Sequence, residues 1–337
     1  MLPHVALALL LALAPVAQET RPPGLTSGQL ANRQFVVQSP AGSGIALYYG
    51  NASLEGSQDA TRAVIIVHGV LRNADTYFET GQILLRRAHA SNTLLIAPQF
   101  VESEDLQGHD VPSNTLRWDQ NWPGGSDALA PAPVSSYAVF DAMLARLADK
   151  TRFPKLREVD IIGHSAGGQI VQRYAVVGHG PSDVANSGIH VHLVVANPSS
   201  YLYFDDTRPY SHANCANFNH WRYGFIGAPS YVQGTPAELE RRYLTRDVTY
   251  MLGTADTNPR EWDLDKTCAG EAQGPYRFAR GKAYIAYVKG LAPHGTAQDY
   301  AFVTGVPHDN RGMFPSQCGI AVIFARDRRV CGESGKI

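Results

Sequence analysis

Two hydrophobic rhythms alternate along the chain. Unbroken apolar or mostly apolar runs at 63–67, 94–97, 159–162, 190–196, 247–252 and 300–304 have the length and continuity of parallel strands buried on both faces. Between them, 77–90, 134–149, 168–175 and 275–290 repeat their apolar positions with helical spacing. Upstream, 34–38 and 45–49 are joined across a Gly/Ser turn and predict a hairpin on a sheet edge. Strand following helix in this way predicts an α/β protein, a mostly parallel sheet with helices on both faces. Pro98 is expected to stop the second run. Residues 99–133 are rich in Pro, Gly and Trp and predict a surface insertion; 199–246, irregular and aromatic, predict a cap over the C-terminal edge of the sheet or a large loop packed by its own aromatics.

Composition narrows the class. In 337 residues, 29 Lys and Arg nearly balance 30 Asp and Glu, and no basic stripe offers itself to a nucleic acid. Residues 1–17 carry an apolar core from Val5 to Leu13 followed by small residues, the length of a signal-peptide core and too short for a membrane anchor. No Lys or Arg precedes the core, and a buried N-terminal helix is the competing reading. Residues 18–32 read as a tether, and 33–337 as one domain carrying both insertions. Four cysteines fit an exported, secreted or periplasmic protein. They allow three pairings; Cys215 with Cys268 and Cys318 with Cys331 close the shorter segments.

The third run leads into Gly163-His164-Ser165-Ala166-Gly167. A serine on a sharp strand-to-helix turn needs small neighbours two residues to either side, and its hydroxyl needs a base and a group that orients the base. His308 follows the last core run in a Pro-bearing loop, with His294 as the alternative. Asp256 ends the run before it and is the candidate orienting acid, unless it only shapes the Asx turn before Asn258. Candidate oxyanion donors are the amides of Ala166 and Val70, the latter in the turn after His68-Gly69, where His68 reads as loop support. Activity is expected to rise through an ordinary histidine titration at about pH 6 to 7.

Trp118, Trp122 and Tyr201 are candidate walls for an aromatic or polymeric substrate, and burial under the insertions explains them equally well. Asp263, Asp265 and Glu271 cluster near Cys268 and read as a solvated loop rather than a calcium site; His190 and His192 read as packing or surface residues. No metal or cofactor is expected.

The segments AVIIVHG at 63–69, GHSAGG at 163–168, MLGTAD at 251–256 and GVPHD at 305–309 together resemble the α/β-hydrolase superfamily over most of 33–314. That resemblance implies an eight-stranded sheet, Ser165 as nucleophile, His308 as general base and then acid, Asp256 as its partner, and an oxyanion hole at Val70 and Ala166. The glycine pair after the serine is similar to feruloyl esterases, polyester depolymerases and some serine peptidases. Gly69 is followed by Val70, Leu71 and Arg72 rather than the glycines of the HGGG lipases. An ester hydrolase is the leading expectation; a peptidase or amidase with the same triad and a non-catalytic binding protein are the alternatives.

Overall fold

The sheet of this protein grows from strands whose alternate side chains serve two different cores. In the computed structural model, which describes residues 29–337, Ala63, Ile65 and Val67 of β3 (Arg62–Val67) face one cluster, while Val64 and Ile66 face the other. With both faces buried, every position from Ala63 to Val67 is apolar, which is why the run is continuous. One face is covered by α2 (Ser136–Ala148), α3 (Ala166–Val177) and the helices Pro236–Leu244 and Arg277–Leu291; the other by α1 (Ala74–Ala88) and the helix Gln317–Ile323. Each fully buried Val, Ile or Leu adds roughly 2 kcal/mol of burial free energy.

The other strands are β1 (Arg33–Ser39), β2 (Gly42–Gly50), β4 (Thr93–Gln99), β5 (Glu158–His164), β6 (His190–Ala196), β7 (Asp247–Gly253), β8 (Asp299–Val303) and β9 (Glu333–Lys336). Their order is β1-β2-β4-β3-β5-β6-β7-β8-β9, with β4 through β8 in that order mutually parallel. Nine strands replace the eight expected. The extra one, β9, pairs antiparallel with β8 and has no apolar alternation to announce it. Pro98 does not end β4. Pairing of β4 with β3 stops at Ile96, and Pro98 lies opposite Tyr48 of β2, so on the β3 side no ladder partner misses its N–H.

The insertion at 99–133 is more than surface, since Trp118 and Trp122 lie in the main core. In 199–246, Thr235 and Glu238 form a reciprocal capping box that starts the helix Pro236–Leu244. Arg246 then donates to the carbonyls of Tyr174, Ala175 and Gly178 and so closes the C-terminal end of α3. Of the expected tether, residues 29–32 are described: Ala31 N–H donates to Gln99 Oε1 at 2.8 Å and the Tyr49 hydroxyl to Gln29 O at 2.6 Å. The expected signal peptide lies outside the described residues. Among the described residues no helix is long and apolar enough to cross a membrane.

Cys215 is bonded to Cys268, 53 residues away, and Cys318 to Cys331, 13 away. The first ties the 199–246 segment to the chain that follows β7; the second holds the approach to β9. Loop-closure entropy gives such bridges about 3–4 kcal/mol each. Reduction is therefore expected to lower the melting temperature by several degrees, about 2 °C or more per kcal/mol, in a scan with and without dithiothreitol; an unmoved Tm would show that neither bridge constrains the unfolded chain.

Candidate active site

Ser165 sits at φ 60°, ψ −122°, between β5 and α3. A non-glycine residue held there costs about 1–3 kcal/mol, and the surroundings must enforce it. They do so by close backbone approach. A Cβ on Gly163 would lie 2.1 Å from the Gly167 carbonyl oxygen, and one on Gly167 would lie 2.3 Å from that of Val67. Ser165 N–H donates to Ala196 O at 3.0 Å, and its own carbonyl accepts from Gln169 N–H at 2.9 Å, opening the helix. Ala166 is the first residue of α3, where backbone N–H groups have no partner within the helix. The turn after β3 packs against the serine, because a Cβ on Gly69 would lie 3.7 Å from Ser165 Cβ.

His308 and Asp256 come from the loops after β8 and β7, neighbours in the sheet. His308 Nδ1 donates to Asp256 Oδ2 at 2.7 Å, which fixes the tautomer with Nε2 as the acceptor. The ring of His164, next to the serine, lies 4.4 Å from that of His308 at 33°. Its Nδ1 is hydrogen-bonded to the Tyr77 hydroxyl at 3.1 Å, and burial holds its pKa well below the ordinary value, with His308 and Arg277 adding to the effect. His164 is therefore a neutral spacer. His308 goes the other way. Burial opposes its charge, but the hydrogen bond to Asp256 and the nearby carboxylate of Asp263 outweigh burial and raise its pKa above the ordinary 6.5. His294 lies in an exposed turn.

The reading of Asp263 as part of a solvated loop is corrected. Its carboxylate is only 10 % exposed, lies 3.5 Å from His308 Nε2, and accepts from Arg277 Nη2 at 2.7 Å. Burial alone would raise its pKa, but His308 and Arg277 drive it far below the usual carboxylate range. Asp265 is also mostly buried and accepts from the Tyr223 hydroxyl, while Glu271 lies apart in the short helix Cys268–Glu271. Among the described residues no group of three or more His, Cys, Asp or Glu is placed to hold a metal. His190 and His192 lie at the opposite end of the strands from Ser165. His190 is exposed between Glu158 and Asp247, and His192 is buried between Asp160 and Thr249.

The turn carrying Val70 is anchored from below. His68 is fully buried, with Nδ1 donating to Gly69 O and Nε2 accepting from Phe100 N–H; burial pushes its pKa down to about 4. It is loop support. Arg72, at φ 59°, donates to Glu102, Glu104 and Asp105, and its carbonyl accepts from Gln99 Nε2. The bulky residues that replace a glycine run here are thus tied to the insertion at 99–106. Trp122 packs its ring 4.7 Å from His68 and stacks on Phe100, and Trp118 Nε1 donates to Val134 O. Tyr201 stacks on Tyr284 with no solvent exposure. All three aromatics expected as substrate walls are packing residues, because the insertions that carry them fold inward. The large apolar side chains exposed beside the site are Val70, 39 % exposed, and Trp262, 41 % exposed, which immediately precedes Asp263.

The described chain shares its fold with solved structures at low sequence identity. A poly(aspartic acid) hydrolase from Sphingomonas sp. KT-1 is 22 % identical with a TM-score of 0.57, over 89 % of this chain and 99 % of that one. A poly(3-hydroxybutyrate) depolymerase from Bordetella parapertussis is 23 % identical with a TM-score of 0.58, over 84 % of each. No protein-family model matches the chain, and no curated protein matches it.

Proposed function

Since the chain has the α/β-hydrolase fold, we propose that it is a serine hydrolase that cleaves carboxylic esters through an acyl-enzyme. One observation carries this reading: the strained serine, a histidine 4.4 Å ring to ring from its neighbour, and a carboxylate 2.7 Å from that histidine all stand at the same sheet edge. In the reaction Ser165 Oγ passes its proton to His308 Nε2 and attacks the ester carbonyl. The amides of Ala166 and Val70 hold the oxyanion, each contributing about 3 kcal/mol to the transition state. Asp256 stabilises the imidazolium, which then protonates the departing alkoxide. Water completes the second half by the same route. Val70 and Trp262 give the acyl or alcohol portion its apolar contacts. The two disulfides suit an oxidising compartment, so we place the protein outside the cytoplasm.

A panel of p-nitrophenyl esters graded by acyl length, with poly(3-hydroxybutyrate), polyaspartate and peptide members, tests the reading. Ester cleavage with an initial burst of p-nitrophenol is expected. Cleavage of the peptides with every ester untouched would replace it by the peptidase alternative. Asp256→Asn, which leaves the wrong tautomer of His308, is expected to lower kcat about 10⁴-fold; a loss under tenfold would remove Asp256 from the triad.

A further inference from the structure

His308 has a carboxylate at each ring nitrogen, and a triad needs only one. Asp256 Oδ2 lies 2.7 Å from Nδ1, and Asp263 Oδ2 lies 3.5 Å from Nε2, the nitrogen that must receive the serine proton. Neither carboxylate is free to swing away. Arg277, the first residue of its helix and fully buried, reaches both, with Nη2 2.7 Å from Asp263 Oδ1 and Nη1 3.8 Å from Asp256 Oδ1. His308 Nε2 has no hydrogen-bond partner, and Arg277 Nη1 and Nε are likewise unbonded among the described residues. The remaining groups around the ring do not compete for this role. His164 is uncharged and turns one nitrogen to Tyr77, and Asp309 spends its carboxylate on the backbone N–H groups of Arg311 and Gly312.

We propose that Asp263 is a positioning residue for His308: its carboxylate at Nε2 favours the protonated ring, withholds the base from Ser165 at low pH, and so sets the pH at which the enzyme turns on. The proposal rests on the hydrolase reading. In proton terms the balance is simple. Below the histidine's pKa, Nε2 already carries a proton directed at Asp263, and the Ser165 hydroxyl has no acceptor. Above it, Nε2 is a lone pair, takes the Ser165 proton as the ester is attacked, and returns it to the leaving alkoxide; Asp263 never holds the proton. During attack the same carboxylate faces the new imidazolium. Arg277 holds Asp263 on one oxygen, leaving the other toward the ring.

The sign follows from the geometry. An anion next to Nε2 stabilises the charged ring, so the acid limb of activity lies above that of an ordinary histidine, and removing the anion moves it down by about 1 unit or more. The readout is the rate of Ser165 phosphonylation by a fluorophosphonate between pH 5 and 9, in the full chain, in which Oγ displaces fluoride and the only titrating requirement is the base. Asp263→Asn is expected to shift the midpoint down by about one pH unit with a plateau within about tenfold of wild type, and Asp263→Glu to keep the wild-type midpoint. A plateau that falls while the midpoint stays fixed assigns Asp263 a purely structural role and overturns the proposal. A wild-type chain that never labels at any pH sinks the hydrolase reading and this one together; labelling with an unmoved midpoint in Asp263→Asn sinks this one alone. Should Asp263→Asn fail to fold around the unpaired Arg277, ¹⁵N-histidine titration of the wild-type protein decides instead: the His308 signal is expected to titrate above about 6.5, and a midpoint at or below that value refutes the proposal.

Discussion

Ser165→Ala is expected to lower kcat/KM for the best ester on the order of 10⁶-fold, because nucleophile and base act as a unit and neither works alone. The fold should be untouched. The hydroxyl contributes no hydrogen bond to the elbow, which is held by the backbone bonds of Ser165 to Ala196 and Gln169 and by the glycine contacts around it. Stopped assays on milligram amounts, with circular dichroism as the control, read both quantities. A residual rate within 100-fold of wild type would mean that another nucleophile is at work. No ester turnover by the wild-type chain, matched by a well-folded Ser165→Ala chain, would instead favour the binding-protein alternative. Ser165→Gly adds a second check. It also removes the nucleophile, but glycine accepts φ 60° without steric cost, so part of the elbow strain, about 1 kcal/mol, should reappear as stability.

Gly163→Ala is expected to cost about 3 kcal/mol or more and to abolish activity at the same time. The added methyl would stand 2.1 Å from the Gly167 carbonyl oxygen, an atom of backbone with nowhere to retreat, and 2.9 Å from Val171 Cγ2. Relief requires opening the turn between β5 and α3. That turn aims Ser165, so stability and catalysis fall together. Urea melts give the first quantity and ester turnover the second; a variant of wild-type stability would mean the turn is far softer than its contacts indicate. Gly108, in contrast, has open space where a Cβ would go, though its φ of 78° still disfavours other residues.

What the sequence disclosed follows from which side chains are buried on both sides. The runs in β3 to β8 were legible because each strand supplies two cores, so apolar residues dominate it and the few polar ones, such as Asp160, His192 and Thr249, leave the run recognisable. β9 was not. It is held by backbone pairing to β8, by Lys336 and Arg328 on Asp299, and by buried Ile337, none of which leaves a periodic trace. Of the site, the parts that end core strands could be picked out by position, and the structure brings His308 and Asp256 within hydrogen-bond distance. Asp263 could not be. It stands in irregular chain between Trp262 and Leu264, and its meaning comes from Arg277, fourteen residues on, whose complete burial no composition rule foretells. The aromatics stayed undecided between substrate wall and core for the converse reason. A tryptophan in a Pro- and Gly-rich insertion looks like a rim residue, and only the inward fold of 99–133 turns Trp118 and Trp122 into core.

Arg72 gives the insertion a second kind of importance. Its three carboxylate partners at 102, 104 and 105 and the carbonyl bond to Gln99 weld the turn after β3, where we propose the oxyanion donor Val70, to the stretch that begins the insertion. Loop grafting treats substrate-side insertions as exchangeable parts on a fixed catalytic chassis. In this protein the chassis and the part share a rivet, so a transplanted loop lacking those acids would bring its new specificity at the expense of turnover, and the unit of exchange has to run from residue 69 through 106.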